Sequence, residues 1–175
     1  MTLTRRIGIG AEAGFFAGVL VATTFFVADF ARLAPFATPM ALQGGLLGSA
    51  STGFDSMLLG SVAIGSFASH LTAITLVHLL TFTGLGAVAV LACHACEVPL
   101  NVLTAALFGL VVFSLVFFGA TAVTNAADVV ELPGPGTVLL VNLLAGALMG
   151  AFYQWTSRAA EHAGRGSSPS RGGRR

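Results

Sequence analysis

Leu100–Val123 reads LNVLTAALFGLVVFSLVFFGATAV, twenty-four consecutive residues without one acidic, basic or histidine side chain. A hydrocarbon core about 30 Å thick is crossed by roughly 20 apolar residues in helical form. Lipid offers no hydrogen bonds, so only a helix satisfies every backbone amide and carbonyl within such a segment. The stretch predicts a transmembrane helix. Working outward, three more runs match it in length and character, from about Ile7 to Phe30, Ser69 to Cys93 and Gly136 to Trp155. The whole chain agrees: 55% of its 175 residues are hydrophobic and 9% charged, against about 25% charged in soluble domains. The expected fold is all-α, a polytopic membrane protein with four transmembrane helices in an up-down bundle. Residues 1–163 form that single domain.

Every basic residue is an arginine, and Arg5, Arg6, Arg158, Arg165, Arg171, Arg174 and Arg175 lie outside the first and last spans; only Arg32 lies between. The positive-inside rule then places both termini in the cytoplasm, which an even number of spans permits. Absence of lysine beside abundant Ala, Gly and Arg suggests a GC-rich bacterial genome, so the expected location is a bacterial inner membrane. A net charge of +1 gives no reason to expect nucleic acid as a partner. The Gly-, Ser- and Arg-rich tail, residues 164–175, is expected to be disordered and to lie against anionic lipid headgroups. Arg5 and Arg6 precede an apolar run that carries Glu12 and continues to Phe30, longer than a signal-peptide core, so the run reads as an uncleaved first helix.

The connections differ in kind. Residues 94–99 form a tight cytoplasmic turn, and residues 124–135, with Asp128, Glu131, Pro133 and Pro135, a short acidic outer loop. The outer connection Ala31–Ala68 is too long for a turn and too apolar for a solvated loop, so it is expected to be membrane-associated. Within it Thr38-Pro39 is a helix-start signal that predicts a short interfacial helix over Met40–Gly48. Met57–Phe67 is shorter than a span and is either re-entrant or a lead-in that lengthens the second helix. The two helix pairs show no visible similarity.

Gly10, Gly14 and Gly18 recur every fourth residue and form one stripe of the first helix, which invites close helix contact. Glu12 projects 120–160° away, so this helix has two faces that avoid lipid, one suited to the bundle and the other to a partner or another helix of the chain. In the fourth helix Asn142, Gly146, Gly150 and Tyr153 share one face. In the second, Thr75, His78 and Thr81 share another, with His78 at the depth of Asn142; a His78–Asn142 hydrogen bond is expected. Glu12 and Asn101 fall in an inner polar layer. Such intramembrane polar groups either glue a bundle or carry a proton or ligand.

Cys93-His94-Ala95-Cys96-Glu97 is a C-x-x-C at the cytoplasmic end of the second helix. It lacks the following histidine that covalent haem attachment needs. A metal site would use Cys93 and Cys96 with His162 and Glu161; as a dithiol it would face a reducing compartment; as neither, two small apolar residues end a helix. A haem between His78 and a second histidine is not expected within one copy, since no other span supplies one. Asp29 and His70 can meet at the outer surface as an ion pair. No phosphate-binding glycine loop, H-E-x-x-H or serine triad is present, and no cofactor is expected.

Phe25–Gly48, above all DFARLAPFATPM, together with Val77-His78-Leu79-Leu80, resembles a set of small, uncharacterised bacterial four-helix integral membrane proteins. The resemblance implies the architecture and brings no activity. Three functions remain open: a non-catalytic accessory or assembly subunit packing through its glycine-rich faces in a larger complex or homo-oligomer; a small transporter or proton-linked permeation protein using Glu12 and His78; and a redox or metal protein using Cys93 and Cys96.

Overall fold

The computed structural model describes residues 1–40, 61–123, 128–131 and 133–166, and among these every regular element is helical. Helix α1 spans Leu3–Ala31, α2 Ser61–Ala95 and α3 Val102–Phe108; a π-helical turn, Gly109–Phe113, leads into α4, Ser114–Val123. A single turn, α5, covers Asp128–Glu131, and α6 runs Pro135–Gly166. Since α3, the π turn and α4 form one rod, four helices are long and apolar enough to cross a membrane: Leu3–Ala31, Leu71–Ala95, Val102–Val123 and Pro135–Ala160.

Three boundaries differ from expectation. Helix α2 begins at Ser61, so from there on the Met57–Phe67 stretch is a lead-in continuous with the second span and not a re-entrant loop. No proline or polar cluster between Ser61 and His70 stops it. Helix α6 passes Trp155 and includes the first residues of the tail, because Ser157–Glu161 reads SRAAE, good helix-forming sequence. The turn near Thr38-Pro39 is helical over 37–40, so it starts at Ala37 with Thr38 inside it and not as its cap, while 41–48 and the tail from 167 lie outside the described residues.

Helix α1 is central, packing on α2 and on α6, while α6 also packs on α3 and the π turn. Ala13, Ala17, Ala89, Ala145 and Met149 are wholly inaccessible. Aromatic rings fill the centre: Phe82 of α2 meets Phe113 of the π turn edge-on at 4.7 Å, and Phe25 of α1 stacks on Phe117 of α4 at 6.4 Å.

The two helix pairs, which look unrelated in sequence, are held by the same crossing. A Cβ on Gly14 would fall on the Phe82 carbonyl and 2.9 Å from the Gly86 Cα; one on Gly86 would fall on the Gly10 carbonyl and 2.8 Å from the Gly14 Cα. In the other pair a Cβ on Gly146 would strike the Ala105 carbonyl and sit 2.9 Å from the Gly109 Cα, and one on Gly109 would sit 2.8 Å from the Gly146 Cα. Each crossing sets glycine against glycine, backbone on backbone, in antiparallel helices. Dispersion and close packing hold helices together in lipid, where no hydrophobic drive between them exists.

Helices α1 and α2 also end alike. Leu33 and Glu97 adopt left-handed backbone, φ 57° and 56°. Ala34 N donates to Asp29 O and Leu33 N to Phe30 O, both at 3.0 Å, and Val98 N to Cys93 O at 2.9 Å and Glu97 N to His94 O at 3.3 Å. These paired bonds satisfy the last carbonyls, a position usually given to glycine, and Pro35 or Pro99 two residues later prevents continuation.

Candidate functional site

The described structure sets the expected polar residues in separate places. Glu12 stands by itself. It is exposed on the side of α1 that points away from the bundle, in a shallow hollow formed with Ala11, Phe15, Phe16 and Thr83. Among the described residues nothing hydrogen-bonds or pairs with it. Thr83 turns its hydroxyl to the Leu79 carbonyl of its own helix, 2.7 Å away. Glu12 lies six residues beyond Arg6, about 9 Å along the axis at 1.5 Å per residue, and so inside the apolar zone.

The inner layer that sequence suggested does not form. Asn101 is the N-cap of α3: its Oδ1 accepts from Thr104 N at 3.0 Å, and Thr104 Oγ1 accepts from Asn101 N at 2.9 Å. The asparagine is spent on the orphan amides of a helix start, which local geometry supplies before any neighbouring helix does.

His78 and Asn142 are not partners either. His78 Nε2 meets the Gly18 carbonyl at 3.0 Å, and its ring lies 4.7 Å from that of Phe82. A side chain at Gly18 would press on Phe82 and Leu79, so the glycine brings α2 near enough for imidazole to reach α1 backbone. Asn142, buried, donates from Nδ2 to Ser114 Oγ at 3.2 Å. Ser114 follows the π turn directly, and both it and the neighbouring Phe113 are buried. Thr81 bonds its own helix at Val77 O, 2.8 Å away.

Asp29 is locked locally. The residue is 1% exposed, and its carboxylate accepts from both Thr38 N and Thr38 Oγ1, each at 2.8 Å. It caps the helical turn at 37–40 from nine residues upstream, so the expected pairing with His70 is not needed to hold it; the His70 side chain lies outside the described residues. Sequence reading missed Thr38 as Asp29's partner and Ser114 as Asn142's. The Thr-Pro start signal was the available clue to the first, and nothing in the sequence announced the second.

Described residues line two further cavities. One of about 350 Å³ lies between α1, α2 and residues 36–39, with His78 in its wall. The other, about 540 Å³, lies at the arginine-bearing end, where Arg6, Cys93, His94, Glu97 and Tyr153 face it. Cys93 is half-buried, Cys96 exposed, and both are free thiols. Among the described residues no three His, Cys, Asp or Glu side chains are placed to hold a metal ion; the side chains of Glu161 and His162 lie outside them.

The glycines of both stripes, Gly10, Gly14 and Gly18 in α1 and Gly146 and Gly150 in α6, all face helices of their own chain. No family model matches the chain, and no curated protein or solved structure matches it.

Proposed function

We propose that this protein is a non-catalytic accessory or assembly subunit of a larger complex in a bacterial inner membrane, with both termini cytoplasmic. The observation that supports the reading is Glu12, a carboxylate without a partner on the lipid side of α1. An acidic group within a span costs roughly 2.5–3.5 kcal/mol on insertion scales, so such residues as a rule face protein or water. The glycine stripes do not serve as the docking face in this reading, since both are occupied within the chain. The face that remains runs through Gly8, Glu12, Phe15, Val19 and Phe26, each accessible and spaced by three, four or seven residues, which fits one further helix laid along it.

Charge favours a different protein over a second copy. The chain has no lysine, and no arginine between Arg6 and Arg32 on α1. Parallel α1 helices related by a two-fold axis set Glu12 against Glu12. A partner helix with a basic or amide donor at that depth complements it. The permeation reading draws less support, because Glu12 and His78 line separate cavities. Isolation from native lipid is expected to recover the wild-type chain in a complex with another membrane protein. Glu12→Leu is expected to leave a folded monomer and to reduce that recovery tenfold or more. A wild-type protein found only as monomer in mild detergent, or a complex indifferent to Glu12→Leu, contradicts the proposal.

A further inference from the structure

The cavity of about 350 Å³ beside His78 presents unused hydrogen-bonding groups inside an apolar wall. Phe25, Phe26, Phe36, Leu71 and Ile74 supply the wall, and Phe36 is braced by Phe26 at 5.5 Å and Phe30 at 6.4 Å. Thr23, Thr75 and His78 supply the polar groups. The Gly18 carbonyl can only accept, so His78 Nε2 carries a proton in their 3.0 Å contact. Among the described residues no carboxylate lines the cavity to favour a charged ring, and in the neutral ring Nδ1 is then a bare acceptor. Among the described residues Nδ1 has no donor, and the hydroxyls of Thr23 and Thr75 have no partner.

We infer that this cavity is a binding site for a lipid-soluble phenol, a ring-bodied amphiphile whose hydroxyl donates to His78 Nδ1 while its ring packs on the phenylalanines. The volume suits one ring with a short apolar substituent, at the lower end of small-ligand pockets. Three observations select this class: an acceptor that lacks a donor, hydroxyls beside it that can accept or donate, and aromatic walls that match a ring face. The roof is held in place by the Asp29–Thr38 hydrogen bonds, which fix residues 36–39 relative to α1.

The test uses the full chain in lipid nanodiscs with two probes of equal body, 4-hexylphenol and 4-hexylanisole, the second lacking only the donor. Equilibrium dialysis, corrected for partition into empty nanodiscs, is expected to show the phenol bound about tenfold more tightly by wild type, the value of one good hydrogen bond. His78→Phe is expected to bind both probes equally, and His78→Gln, which keeps a donor for Gly18 and an acceptor for the ligand, to restore the preference. Equal binding of the two probes by wild type, no binding of either, or a preference that survives His78→Phe overturns the assignment. Should His78→Phe not fold, Thr75→Val provides the second arm: a smaller loss of the phenol preference supports the site, and an unchanged affinity for both probes counts against it.

Discussion

Helix α1 carries two faces unsuited to lipid, and the chain treats them in opposite ways. The face of Gly10, Gly14 and Gly18 is sealed by α2 so tightly that no Cβ fits. The face of Glu12 is left open, with a carboxylate that nothing in the described structure satisfies. The difference separates two roles that a sequence alone merges. Small residues at four-residue spacing build the chain's own fold, and in the proposed reading the polar group on the opposite side is where a partner docks.

The largest expected effect comes from breaking the sealed face. Gly14→Leu forces a branched side chain into Gly86 and Phe82 backbone, where no side-chain rotation relieves it, and is expected to destabilise the bundle by about 3 kcal/mol or more. Gly146→Leu is expected to act alike, because its crossing with Gly109 is built the same way. Denaturant unfolding in detergent reads both; near-wild-type stability for either would mean that the crossings are looser than described. Both variants report on folding, and loss of a complex in them says nothing about the open face.

The same contrast extends to polar groups inside the bundle. Asp29 and Asn142 have partners within the chain, so removing them is expected to destabilise it, whereas removing Glu12 is not. Asp29→Ala leaves the Thr38 amide and hydroxyl buried without an acceptor, an expected loss of roughly 2 kcal/mol, with faster amide exchange at Thr38. Asn142→Leu removes one interhelical hydrogen bond to Ser114, an expected loss of about 1 kcal/mol in the same unfolding assay. A stability ranking that put Glu12→Leu below either would erase the distinction.

The smallest effect has the opposite sign. Glu97 holds a left-handed conformation that glycine adopts without steric penalty, so Glu97→Gly is expected to stabilise by up to about 1 kcal/mol. A loss would show that the Glu97 side chain contributes more at the cavity near Cys93 than its backbone strain removes.

The four spans were legible because lipid thickness sets a length, and uninterrupted apolar runs such as Leu100–Val123 report it directly. The glycine stripes were legible as packing surfaces, but not which helix each one met. The matching crossings stayed hidden because they reside in backbone proximity: neither Gly86 nor Gly109 has a glycine four residues away, so neither belongs to a visible stripe. His78 was expected on Asn142 from equal depth. Depth does not give rotation, and the bare Gly18 backbone offered an acceptor that no list of side chains contains. The Asp29–Thr38 lock and the ends at Leu33 and Glu97 escaped for a related reason: each depends on a left-handed residue where neither leucine nor glutamate signals one.

The most direct test of the open face is photo-crosslinking in native membranes from a benzoylphenylalanine placed at Phe15, beside Glu12, with one placed at Leu103, an accessible position on another span, as control. The account predicts a covalent product with a different polypeptide from position 15, greatly reduced when Glu12 is also changed to Leu. Crosslinks from position 15 only to lipid, or only to a second copy of the chain, would contradict it.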